Sequence, residues 1–128
     1  MQRTVASTSC VLLFLVFSSP VASAAEHVEL VVDYGDGVEK HFTQLVYSDG
    51  LTALGATKLA EKHARGIEIK VRSSGSTAFL TQIDDVTNQG GDGRNWVFRV
   101  NGKLADRSCG IYKLQAGDTV LWRFQKYE

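Results

Sequence analysis

The chain has 128 residues, with 14 Lys and Arg against 14 Asp and Glu, so its formal net charge is zero, and 44% of it is hydrophobic. That length holds one small domain with its own core. The neutral balance argues against nucleic acid as the main partner.

The N-terminus has the layout of a secretory signal. Arg3 precedes an apolar run from Val11 to Phe17, Pro20 breaks it, and Ala22-Ser23-Ala24 supplies the small-x-small pattern that a signal peptidase accepts. Cleavage is expected after Ala24 or Ala25, which leaves a signal peptide over 1–24 and a mature domain over 26–128. The apolar run is far shorter than the about twenty residues that span a bilayer. No integral membrane segment is therefore expected after signal removal. Cys10 is not a lipobox cysteine, because the apolar run follows it. The mature protein is expected to be secreted or periplasmic. It keeps Cys109 as its one thiol, so no intramolecular disulfide can form, and such a cysteine reads as a small buried apolar residue.

The mature chain opens with a hairpin. His27 to Val32 alternates, with Val28, Leu30 and Val32 in one phase; Tyr34-Gly35-Asp36-Gly37 turns, and Val38 to Tyr47 returns. Thr52 is a candidate N-cap for a helix that places Ala53, Ala56, Leu59, Ala60 and His63 on one face until Gly66 stops it. Ile67, Ile69 and Val71 make a third strand, Ser73 to Ser76 a turn, and Ala78 to Ile83 a short extended piece. A glycine-rich loop, expected to be mobile, fills Asn88 to Gly93.

The last third carries the clearest pattern. Trp96, Phe98 and Val100 share one phase of a strand that runs into Asn101-Gly102, a pair suited to the positive φ angles of a two-residue hairpin turn. After Gly117-Asp118, Val120, Trp122 and Phe124 repeat the alternation. Each strand thus offers one aromatic-rich face for burial. A hairpin, one helix and further strands in this order give an α+β fold, a single β-grasp-like mixed sheet packed on one helix.

Chemistry is thinly represented. His27, His41 and His63 lack metal-ligand spacing, and nothing around Cys109 is built to activate a thiolate. Asp84 and Asp85 would point to opposite faces of extended chain and read as solvated. The acidic turns at Asp33 to Gly37 and Gly90 to Gly93 do not match a calcium loop with its distal glutamate. No metal is assigned and no catalytic residue is proposed. Basic residues gather toward the C-terminus, where Arg99 and Arg123 fall out of phase with the aromatic positions and are expected on the solvent face. They read first as a solubilising outer face, and as a functional alternative they would suit a shallow site for an anionic group such as an acidic glycan or a phosphate.

The stretch Gly93-Arg94-Asn95-Trp96-Val97-Phe98-Arg99-Val100-Asn101-Gly102-Lys103, then Cys109-Gly110-Ile111-Tyr112-Lys113-Leu114 and Gly117-Asp118-Thr119-Val120-Leu121-Trp122, resembles the transcobalamin-like C-terminal domain, DUF4430. The resemblance is strong from about Ser76 onward, and Asp49 to Leu54 looks like the family's lead into its helix. It implies a β-grasp domain that binds without catalysing. In the vitamin B12 carriers this domain covers one side of the corrinoid while a separate barrel holds the other. This chain has no barrel, so a corrinoid such as cobalamin would need a second protein to complete the cleft. By resemblance Arg94, Asn95, Trp96 and Tyr112 bound the ligand-facing edge, while Asn101, Gly102, Gly117 and Asp118 shape its turns. The expected partner is a small ligand or an envelope protein. The alternatives are a protein–protein interaction domain pairing through an exposed sheet edge, or a cell-surface glycan-binding domain.

Overall fold

The computed structural model describes residues 26–127. The expected signal peptide over 1–24, with Cys10, lies outside them. Two strands, β1 (His27–Asp33) and β2 (Glu39–Val46), form the N-terminal hairpin, followed by helix α1 (Ala53–Glu61). Next come β3 (Ile69–Arg72), a short 3-10 turn, β4 (Phe79–Ile83), β5 (Val86–Thr87), β6 (Arg94–Val100), β7 (Lys103–Leu104) and β8 (Thr119–Lys126). Among the described residues no helix is long and apolar enough to cross a membrane.

The strands make two sheets where the sequence reading expects one. A five-stranded mixed sheet runs β2-β1-β8-β6-β7, and a three-stranded antiparallel sheet runs β3-β4-β5. The ladder breaks between β4 and β6 because a side chain stands in for main chain there. Asn88 accepts from the Trp96 N–H at 2.7 Å and donates to the Leu80 carbonyl at 2.9 Å. One amide thus bridges the sheets. The Trp96 indole adds a second tie, donating to the Val86 carbonyl at 2.9 Å.

In the larger sheet, β8 lies parallel to β1 and antiparallel to β6. Trp96, Phe98 and Val100 of β6 and Val120, Trp122 and Phe124 of β8 are all buried, as their shared phase requires. The Asn101-Gly102 turn has positive φ at both residues, 51° and 80°, which are type I′ values. The strand after it is only two residues long, so the main partner of β6 is β8. Arg99 and Arg123 lie on the opposite phase, Arg99 donating to Gln125 at 3.2 Å and Arg123 to Asp33 at 3.0 Å.

Thr52 caps α1 by accepting from the Gly55 N–H at 3.0 Å. The Ala53 and Leu54 N–H groups donate to the carbonyls of Tyr112 and Cys109, both at 2.9 Å. The helix ends at Glu61, well before Gly66, and its buried face holds Leu54 and Thr57 where Leu59 and His63 were expected. The early end follows from the chain doubling back: Gly66 sits so close to the helix terminus that a Cβ there would lie 2.4 Å from the Ala60 carbonyl oxygen. His63 is thereby left exposed, with its ring edge against Phe42.

Helix and sheet are joined by one buried polar contact. The Trp122 indole N–H donates to the Thr57 hydroxyl at 2.9 Å, and that hydroxyl donates to the Ala53 carbonyl at 2.8 Å. Both side chains are essentially inaccessible. Replacing Thr57 with Val keeps the shape but strands the indole N–H, at a cost of about 1–3 kcal/mol. Urea denaturation of Thr57→Val should show that loss; an unchanged midpoint would mean the contact carries no stability.

Candidate functional site

The hollow with the most distinctive walls lies where β6 lacks a strand partner. The chain pairs with β6 through β7, then bows away after Ala105. Ser108 holds the bow by donating to the Ala78 carbonyl at 2.6 Å. The space left is a cavity of about 380 Å³. Its walls include Ala78 and Leu80 of the β4 region, Trp96 and Phe98 of β6, and Ala105 and Cys109 of the bowed segment. The Cys109 thiol is buried, and that burial pushes its pKa up, so it contributes apolar wall and no thiolate.

The rim is more telling than the walls. Phe79, Leu104 and Tyr127 line the cavity and are 49%, 36% and 70% exposed. They are three of the six large hydrophobic side chains left exposed among the described residues. Apolar groups concentrated at one opening mark a contact site more clearly than the same groups scattered over a surface. Arg107 supplies the charge on the rim, paired with Asp106 at 2.8 Å and lying 5.6 Å from the Tyr112 ring.

The candidate site residues divide around this cavity. Asn95 and Trp96 line it, although Trp96 is only 4% exposed and offers an edge of core in place of an open platform. Tyr112 stands behind the wall, its ring 5.8 Å from that of Phe98. Arg94 lies elsewhere: its guanidinium packs 5.4 Å from the Phe124 ring and donates to the Gly35 carbonyl at 3.1 Å. Asn101 and Asp118 lock the two turns to each other at 2.8 Å, and Asn101 also accepts from the Thr119 N–H at 2.9 Å. Gly102 and Gly117 supply positive φ in those turns.

The loop from Asn88 to Gly93 separates this cavity from a more polar hollow of about 270 Å³ bounded by Arg72, Thr81 and Thr87. It is pinned rather than loose. Gly90 donates to Asn95 and Arg94 to Gln89, each at 2.8 Å. Phe79, Leu104 and Tyr127 escape the sequence reading because none of them lies on the aromatic phase of the long strands. A usable signal was present: Phe79 is a large apolar residue on the phase opposite to Ala78 and Leu80.

A second polar cluster ties the sheets at the far end of β4. Asp84 has a φ of 52° and is half-buried, where the sequence reading expects a solvated side chain. It accepts from the Tyr34 hydroxyl, from Lys40 at 3.0 Å and from the Glu68 N–H at 3.0 Å. Burial raises its pKa, but the Tyr34 hydroxyl, the Glu68 N–H and Lys40 together outweigh burial and hold the carboxyl below its ordinary range. Burial first, and then Asp84, push the Tyr34 phenol well above its own range. Asp85 is exposed. Among the described residues no three His, Cys, Asp or Glu side chains gather to hold a metal. In the first acidic turn Asp33 and Asp36 each accept a main-chain N–H two residues on.

A lowered folded pKa on Asp84 contributes stability that is complete above the unfolded value of about 3.9 and is lost as pH falls through the folded value. Stability should therefore fall below about pH 4. Asp84→Asn, which tolerates the same left-handed backbone, should flatten that fall in acid unfolding curves. Parallel curves for parent and variant would remove Asp84 from the account.

The family model of a domain of unknown function, DUF4430, matches residues 50–126. No curated protein matches the chain. Among solved structures, the chain is similar to a candidate metal-binding protein from Ruminococcus gnavus ATCC 29149, with 16% identity and a TM-score of 0.64 over 80% of this chain and 99% of that one. It is also similar to haptocorrin in complex with Cbi, with 21% identity and a TM-score of 0.62 over 82% of this chain. The match spans 26% of haptocorrin. At these identities the likeness speaks for the fold alone.

Proposed function

The chain belongs to the DUF4430 family, and from that premise we propose that it is a secreted or periplasmic, non-catalytic β-grasp module that binds a ligand with an apolar face at the β6 cavity. The observation that carries this reading is the exposed Phe79, Leu104 and Tyr127 rim around an apolar hollow. A corrinoid is the ligand class to try first, since haptocorrin, whose fold this chain shares in part, was solved with Cbi. The cavity is open on one side and offers half of an enclosing site. A partner protein would supply the other half. Asn95 and the edge of Trp96 are the contacts proposed within the cavity, with Tyr112 and Arg94 positioning the strand from behind and from its start.

Phe79→Ser combined with Tyr127→Ser should lower the melting temperature only modestly, because Tyr127 is 70% and Phe79 49% exposed in the folded domain, and should abolish any thermal shift caused by a corrinoid. Trp96→Ala should instead destabilise by about 3–5 kcal/mol, as truncation of a buried aromatic does. Equal corrinoid shifts for the parent and the rim variant would sink the cavity as the site.

One observation favours a second reading, a protein-interaction domain. β2 forms an outer edge of the larger sheet, and Val38 and Val46 at its two ends are 53% and 58% exposed. Such an edge can accept a further strand. Sedimentation at high protein concentration should then show a dimer that Thr43→Pro in β2 dissolves; a strict monomer argues against self-pairing.

A further inference from the structure

β6 is fully paired on one side only. Asn101 donates to the Thr119 carbonyl at 2.9 Å, which sets Arg99, Val97 and Asn95 as the residues whose main-chain groups face β8. Arg94, Trp96, Phe98 and Val100 therefore present theirs to the opposite side. Most are satisfied. Val100 pairs with Lys103 of β7, and the Phe98 carbonyl accepts from the Ala105 N–H at 3.2 Å. The Trp96 N–H reaches Asn88 at 2.7 Å, and Arg94 exchanges bonds with Gln89 at 2.8 and 2.9 Å.

Two groups are left, the Trp96 carbonyl and the Phe98 N–H, and neither has a hydrogen-bond partner among the described residues. They flank one residue on the same side of one strand. Both belong to buried residues that line the cavity. Buried main-chain groups are rarely left alone, because each unmet one costs the free energy of its lost hydration. In a parallel ladder a single residue of the incoming chain satisfies such a pair, its N–H donating to the carbonyl and its C=O accepting from the N–H. At the neighbouring pair on this edge, groups from outside any strand already serve as partners: the Arg94 carbonyl accepts from the Gln89 N–H at 2.9 Å, and the Trp96 N–H donates to the Asn88 side-chain oxygen at 2.7 Å. Ser108 keeps the bowed segment tied to the Ala78 carbonyl and away from this edge.

We propose that the gap in the β6 edge is an amide-recognition site. The ligand's amide N–H donates to the Trp96 carbonyl, its carbonyl accepts from the Phe98 N–H, and an adjoining apolar group fills the cavity. This rests on the binding-module reading and deepens it, by naming amide recognition through main chain as the source of orientation. An extended peptide residue offers this chemistry, and so does the amide-fringed periphery of a corrinoid.

The test is a titration of the isotope-labelled protein followed by amide NMR, using N-acetyl-leucine N-methylamide, its analogue methylated at the leucine nitrogen, and cobinamide. In the free protein the Phe98 amide should exchange with solvent faster than those of Val97 and Arg99. The first probe should shift and protect the Phe98 amide, and methylating the donor nitrogen should weaken binding about ten-fold or more. If cobinamide alone moves Phe98, the amide comes from a small ligand; if the leucine probe alone does, it comes from a peptide. Either result supports the site. A slow Phe98 amide in the free protein overturns the proposal. So do signals of Phe79 and Tyr127 that move equally with both leucine probes while Phe98 stays still, an outcome that leaves the binding-module reading standing. If no probe moves Phe98, the amide site falls, while the cavity itself is judged separately by the thermal shifts of the parent and the rim variant.

Discussion

The domain is organised around its last strand. β8 enters between β1 and β6, pairing in parallel with a segment some ninety residues earlier, as the Asp33 to Arg123 ion pair also records. Until that strand is in place, the N-terminal hairpin has lost one neighbour and β6 has lost its only full ladder. The helix is held through the same strand, since Trp122 supplies the indole that reaches Thr57. Such long-range pairing must overcome loop-closure entropy before any local contact is rewarded. The apolar phase of β8 is accordingly buried along Val120, Trp122 and Phe124.

The smaller sheet stands in a different relation to the rest. It joins the larger one through side chains: Asn88 between Leu80 and Trp96, the Trp96 indole on Val86, and Asp84 between Tyr34 and Lys40. A junction of this kind fixes position at a few points and leaves space between them. The cavity is that space. Its two sides are therefore set by different devices, a main-chain ladder to β8 behind β6, and single side-chain bonds from Asn88 and Ser108 at either end. A binding surface that has to admit a ligand is well served by an edge whose own partners stop short.

Parts of the candidate site were legible one residue at a time but not as a place. Trp96 and Asn95 were marked by their strand and loop, and both line the cavity. Arg94 and Tyr112 were marked by the same segment, yet one turns to the β1–β2 turn and the other packs behind Phe98. Strand alternation says which face a side chain takes; it does not say what lies opposite that face. Leu104 and Tyr127 come to the rim from a two-residue strand and from the chain end, where no periodicity exists to be read.

By itself the sequence determined the hairpin from His27 to Val46, the Thr52 cap, the type I′ turn at Asn101-Gly102 and the buried phases of β6 and β8, because each depends on neighbours within a few positions. The tertiary structure decided the end of α1 at Glu61, the division into two sheets, the half-buried Asp84 and the unpaired stretch of β6. Each of these is the outcome of a competition between distant groups for one hydrogen bond or one volume. Asn88 reaching Trp96 before a strand can is the clearest case, and nothing in its local sequence announces which partner wins.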